Sequence, residues 1–92
     1  MNFEWDNNKA SSNEQKHGVS FEEASTIFSD SLSITIPDPL HPETEERFAI
    51  LGLSEKNRLL VVIHTDTGVT IRLISARLAT AHERKRYEEN DY

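Results

Sequence analysis

The stretch "TIRLISARLATAHERKRYEEN", residues 70–90, decides how the rest of the chain is read. Its first half is an apolar run rich in β-branched residues, the composition of a strand. Its second half opens with Thr80 and Glu83 at capping-box spacing, the signature of a helix start, and the helix is expected to run to about Asn90. A strand that feeds a helix directly points to an α+β domain. It also poses a chemical question, because Arg72 stands inside the strand and Arg77 at its end. Alternation puts Val69, Ile71 and Leu73 on one face and Thr70, Arg72 and Ile74 on the other.

Working backwards, "DTG" at 66–68 is a tight turn and "RLLVVIHT" at 58–65 a strand. The turn "EKN" joins that strand to "ERFAILGLS" at 46–54, giving an antiparallel hairpin. A strand from Asp30 to Ile36 precedes "PDPLHP", whose three prolines cannot continue a ladder. "VSFEEASTIF" at 19–28 reads as a helix: Ser20 and Glu23 have capping-box spacing, Val19 and Ala24 staple spacing, and Phe21, Ala24, Ile27 and Phe28 share one face. Before it, Asp6 can cap a helix that runs to about His17 and ends at Gly18. "FEWD" at 3–6 alternates like a short half-buried strand. The expected order is β-α-α-β-β-β-β-α over a single domain, residues 1–92, with a mostly antiparallel sheet and the helices on one face.

Composition narrows the function. Ninety-two residues allow one modest core, and 36% apolar residues are enough for a folded domain. No run approaches the ~20 apolar residues of a membrane helix, and the first residues lack a signal-peptide pattern, so a soluble cytoplasmic protein without membrane contact is expected. The absence of cysteine removes disulfides and thiolate chemistry. The histidines at 17, 41, 64 and 82 have no metal-ligand spacing, and neither a metal nor a cofactor is expected. Net charge is −6, with ten acids and two lysines in residues 1–46 against eight Lys or Arg and six acids in residues 47–92. Such a chain will not coat nucleic acid through bulk charge, and direct DNA binding by it alone is disfavoured. A local cationic pocket remains open to it, as does an acidic face for a basic partner.

Arg72 is either paired with a carboxylate, such as that of Glu46, or lines a wet groove. His64, on the face of Leu60 and Val62 and close to the turn, is either a half-buried structural histidine or a proton carrier. Arginines near a histidine suit phosphate chemistry, since a guanidinium grips two phosphate oxygens and keeps its charge. Cleavage of RNA by its own 2′-OH needs a proton removed, charge stabilised and a leaving oxygen protonated; arginine supplies only the second.

Four motifs in order, "W-D-x-x-K" at 5–9, "N-x-x-K-H-G-V-x-F-E-x-A" at 13–24, "I-S-A-R" at 74–77 and "E-R-x-x-Y-E" at 83–88, resemble the BrnT family of bacterial toxins across nearly the whole chain. The resemblance implies a RelE-like fold and a metal-independent endoribonuclease of a type II toxin–antitoxin pair that inhibits translation. It implies a BrnA-like antitoxin as partner, with operator DNA bound only through the antitoxin and a dimer bridged by it. On this reading Arg72, Arg77 and His64 are the catalytic candidates, with His17 as the other possible proton carrier. Lys16, His17, Arg47, Arg84 and Tyr87 are the RNA-binding candidates. The reading of a different class is a catalytically inactive partner and co-repressor of a ribbon-helix-helix DNA-binding protein.

Overall fold

A computed structural model describes residues 1–38 and 46–89. Pro39, His41, Pro42 and Asn90, which figure in the sequence reading, lie outside the described residues. The elements are β1 (Asn2–Glu4), α1 (Asn7–His17), α2 (Phe21–Thr26) running into a 3-10 turn (Ile27–Ser29), β2 (Ile34–Pro37), β3 (Phe48–Leu53), β4 (Leu59–Asp66), β5 (Thr70–Leu78) and α3 (Ala81–Glu88). Their order is the expected one. The second strand starts later than expected because Asp30 closes a turn, its carboxylate accepting from the Leu32 N–H and its carbonyl from the Ser33 N–H.

The five strands lie in the order β1-β5-β4-β3-β2. Three ladders are antiparallel, but β1 runs parallel to β5, pairing Phe3 with Ile71 and Glu4 with Arg72. The sheet is therefore mostly antiparallel, as expected, but mixed, because the edge pair β1–β5 is parallel. β1 covers only the first three residues of β5, so from Leu73 onward β5 has no strand on its outer side among the described residues.

The helices divide between the two faces, which corrects the expectation that all pack on one. On the first face, Val19, Phe21, Ala24 and Ile27 are fully buried against Ile50, Leu60, Val62, Ile71, Leu73 and Ala76, with Phe3, Trp5 and Phe28 at the margin. Fully burying each large side chain contributes about 1.5–3 kcal/mol. Gly52 lets this layer close: a Cβ there would stand 3.2 Å from the Ile27 Cβ and carbonyl oxygen. On the second face a smaller cluster of Leu51, Leu59 and Val61 meets Ala79 and Tyr87, and so draws α3 to that side. The Tyr87 hydroxyl donates to Asp30 at 2.6 Å. Burial alone would raise the pKa of Asp30, but this bond and those from the Leu53 and Leu32 N–H groups outweigh it and keep the carboxyl below its ordinary value.

Local signals set the helix ends. Asp6 accepts from the Asn8 and Lys9 N–H groups at 2.8 and 3.1 Å, and Gly18 closes α1 at φ 70°, a left-handed conformation that favours glycine. Thr80 and Glu83 form both halves of a capping box. At α2 only one half forms: the Ser20 hydroxyl accepts from the Glu23 N–H, while the Glu23 carboxylate turns inward. There it is gripped by the Arg58 guanidinium and accepts from the Ser54 hydroxyl at 2.7 Å. Arg58 also donates to the Gly18 carbonyl at 3.0 Å, tying the β3–β4 turn to the end of α1. Hydrogen bonds from Arg58 are the main cause that holds Glu23 below the ordinary carboxyl range, despite its burial.

α1 has almost no apolar surface of its own. Asn13 docks it instead, 8% exposed, its amide donating to the Ala76 carbonyl at 2.9 Å and the Val19 carbonyl at 3.1 Å. Its side-chain oxygen accepts from the Ala76 N–H at 3.0 Å. One side chain thus takes the place of the missing strand beside β5. Among the described residues, no helix is long and apolar enough to cross a membrane.

Candidate functional site

The placement of the two arginines depends on an irregularity in β5. Strand β4 pairs Ile63 with Ser75 but His64 with Leu73, so Ile74 is an extra residue without an opposite number. Ile71 and Leu73 face the first core before the bulge, and Ala76 faces it after. Arg72 and Arg77 are an odd number of residues apart and would point to opposite faces of a regular strand. The bulge puts both on the second face. Their partners on β4, Thr65 and Val61, are four residues apart, which sets the arginine backbones roughly 13 Å from each other.

Each guanidinium has a carboxylate. Arg72 reaches Glu4 across the parallel ladder at 3.2 Å, with both side chains well exposed. Glu46, the partner named from the sequence, is replaced by Glu4 because β1 lies beside β5. Arg77 forks onto Glu83, Nη1 to Oε1 at 2.8 Å and Nη2 to Oε2 at 2.9 Å. The same Glu83 oxygen accepts from the Thr80 N–H at 2.9 Å, so one carboxylate both caps α3 and holds the arginine. Hydrogen bonds from Arg77, with help from Thr80, depress the Glu83 pKa from 4.5 to about 2, and the pairing raises that of Arg77. A depressed carboxyl stabilises the fold fully above its unfolded pKa and loses that contribution as pH falls through the folded one. Stability measured by urea titration is therefore expected to hold above pH 4.5 and to fall from there towards pH 2. Glu83→Gln should flatten part of that fall; an unchanged acid profile would show that the pair contributes nothing.

His64 is on the other side of the sheet. It is 3% exposed, paired across the ladder with Phe48 and Leu73, and its ring meets Phe28 edge-on at 4.8 Å. Its Nδ1 has no hydrogen-bond partner among the described residues. Burial pushes the imidazole pKa down, against the Val62 backbone and the charge of Asp66, and so favours the neutral ring. The expected grouping of His64 with Arg72 and Arg77 is corrected accordingly. Adjacency along the ladder is real, with Thr65 opposite Arg72, but successive side chains on β4 point to opposite faces. His64 cannot reach a phosphate held by Arg77.

The RNA-binding candidates do not form one surface. Arg47 precedes β3, next to edge strand β2, where its carbonyl accepts from the Asp38 N–H at 2.8 Å. Arg84 is exposed on α3, and Tyr87 is a packing residue whose hydroxyl serves Asp30. Lys16 and His17 lie elsewhere, at the end of α1, lining an open groove of about 340 Å³ with Lys9, Ser12, Ile74 and Ser75. This groove and the Arg77–Glu83 fork are joined by β5 itself, since Ser75 and Arg77 are two residues apart on the same face. Asn13, Glu23, Ser54 and Arg58 carry much of the buried polar structure and were not singled out from the sequence as a network. The parity switch between Ile71 and Leu73 before Ile74 and Ala76 after it was the available sign of the bulge.

Residues 5–83 match a family model described as the ribonuclease toxin, BrnT, of type II toxin–antitoxin systems. The crystal structure of the Brucella abortus ribonuclease toxin BrnT superposes with a TM-score of 0.66 at 24% identity, over 87% of this chain and 97% of that one. At that identity the superposition establishes a shared fold. No curated protein matches the chain. The family match extends from Trp5 to Glu83, most of the chain, so the chain belongs to the BrnT family of ribonuclease toxins of type II toxin–antitoxin systems.

Proposed function

We propose that this chain is a metal-independent endoribonuclease that arrests translation by cleaving RNA through the ribose 2′-OH. The observation that carries this reading is the Arg77–Glu83 fork. Glu83 presents two oxygens to both terminal nitrogens of the guanidinium, the geometry in which a phosphate offers its non-bridging oxygens. In the reaction the 2′-oxygen attacks phosphorus as its proton leaves to a base, and the bond to the 5′-oxygen breaks as that oxygen is protonated. Arg77 stabilises the charge that builds on the phosphate, once RNA has displaced Glu83. Arg72, further along the same face, holds a neighbouring part of the strand. The proton steps fall to His17, which is partly accessible to solvent where His64 is not.

The partner on this reading is a BrnA-like antitoxin that blocks cleavage, bridges a dimer of toxins in the cytoplasm and represses the operon through its own DNA-binding half. The purified chain should cleave a single-stranded RNA in the presence of a metal chelator, and added antitoxin should stop it. Absence of cleavage with a folded chain, with or without ribosomes, would sink the ribonuclease.

A second reading has its own support. Both arginines already hold carboxylates, as arginines with a purely structural role would. On that reading the chain is an inactive binding partner and co-repressor. Expression without the antitoxin separates the two, since only the ribonuclease arrests growth.

A further inference from the structure

We propose that the groove between α1 and the bulged edge of β5 is the backbone-binding channel for single-stranded RNA that leads the strand to Arg77. This rests on the ribonuclease reading and names the path of its substrate. The groove is cationic in a chain whose net charge is −6. Lys9, Ser12 and Lys16 recur at i, i+3 and i+7 on α1 and stand on one stripe with Asn13, the residue that docks the helix on β5. That docking fixes which way the stripe looks: towards the edge of β5 at Ile74 and Ser75.

The cations of the groove are also the ones available to a ligand. Arg58, Arg72 and Arg77 are each committed to a carboxylate, while Lys9 and Lys16 form no ion pair among the described residues. Asp6, the N-cap of α1, is engaged by the N–H groups of Asn8 and Lys9. The basic surface of α3 is a weaker rival. Arg84, Lys85 and Arg86 share a short helix with Glu83 and Glu88, Glu89 caps it, and no residue of that helix is buried.

The edge of β5 supplies the rest. Beyond Leu73 no strand covers it among the described residues, and Asn13 satisfies only Ala76. The bulge pushes Ile74 and Ser75 into the groove, and Ser75 stands one strand step, about 7 Å, from Arg77 on the same face. A polyanion lying along Lys9 and Lys16 would therefore cross the edge at Ser75 and arrive at the fork. An open groove of about 340 Å³ walled by one helix and one strand edge, with lysines along the helix, suits a single strand followed by its backbone.

The test uses the full chain and a single-stranded 2′-O-methyl RNA oligonucleotide, which binds but cannot be cleaved. Its affinity is measured against salt concentration for the wild type, Lys9→Gln/Lys16→Gln and the control Lys56→Gln on the β3–β4 turn. Each lysine that neutralises a phosphate contributes about 0.7 to the logarithmic salt slope for a single strand, or roughly fivefold in affinity at 0.1 M salt. The double variant should lose about 1.4 of the slope and roughly 25-fold in affinity, and Lys56→Gln should match the wild type. Cleavage of unmodified RNA is followed in parallel. If the wild type cleaves and the double variant keeps its slope, or if Lys56→Gln loses as much, the channel is overturned and the ribonuclease stands. If the wild type does not cleave at all, it is the ribonuclease reading that has failed.

Discussion

Arg77→Ala is expected to reduce the single-turnover rate of RNA cleavage by about 10²–10³-fold, the usual effect of removing one donor to a developing oxyanion. Stability should change little. The Arg77 and Glu83 side chains are 41% and 28% exposed, and pairs this wet contribute about 1 kcal/mol or less. The capping box survives, because the Thr80 and Glu83 bonds do not pass through the arginine. Arg77→Lys should recover only part of the rate, since an ammonium keeps the charge and loses the planar fork. Glu83→Gln gives the opposite sign: glutamine retains the cap but competes poorly with phosphate, so RNA should bind more tightly and cleavage at limiting RNA should rise. If Arg77 is only structural, both variants lose a little stability and neither changes the rate. A folded Arg77→Ala protein with full activity would remove the arginine from the mechanism.

How far that chemistry could be read in advance depends on the range of each signal. Helix starts and turns are written within three or four residues. Asp6, Ser20, Thr80 and Glu83, Gly18 and the Asp66–Gly68 turn therefore gave element order and approximate bounds. The pairing of β1 with β5 joins residues 68 apart, and a three-residue strand carries no pattern that names its neighbour. The side of the sheet taken by α3 is set by Tyr87, Leu51, Leu59 and Val61, a satellite cluster that alternation alone did not distinguish from the main core.

Of the candidate site, individual residues could be weighed from the sequence, and their geometry could not. Arg72 and Arg77 were found because cations in an apolar strand demand an explanation. Their common face was hidden by one unpaired residue, Ile74, which inverts every later side chain in the strand. His64 misled because closeness along a ladder was taken without its face. The buried polar residues were the least visible, since Asn13 and Glu23 look like ordinary helix surface until their distant partners are known. Asn13 in particular sits in "NNKASSNEQKH", which has no apolar stripe to suggest that it packs on anything.

That makes Asn13→Ala the most informative stability variant. The substitution removes three hydrogen bonds and leaves the Ala76 N–H and carbonyl and the Val19 carbonyl without that partner at a buried site. Each orphaned group costs about 1–3 kcal/mol, less where water can enter from the strand edge, so a total of about 3 kcal/mol is expected. For a domain of this size that is a fall of roughly 12–24 °C in Tm. Asn13→Asp should do no better: it can still accept from the Ala76 N–H, but it sets a carboxylate against two carbonyl oxygens. Because Ala76 immediately precedes Arg77, either change should also loosen the fork and lower cleavage under conditions where the protein is still folded. Thermal melts of Asn13→Ala beside Ser12→Ala, an exposed neighbour on the same helix, isolate the amide's contribution from helix propensity. A difference below about 1 kcal/mol would mean that water replaces the amide at the open edge of β5. α1 would then be held by its caps, by Ala10 against the core and by Arg58 on the Gly18 carbonyl, and the groove beside it would lose its main fixed point.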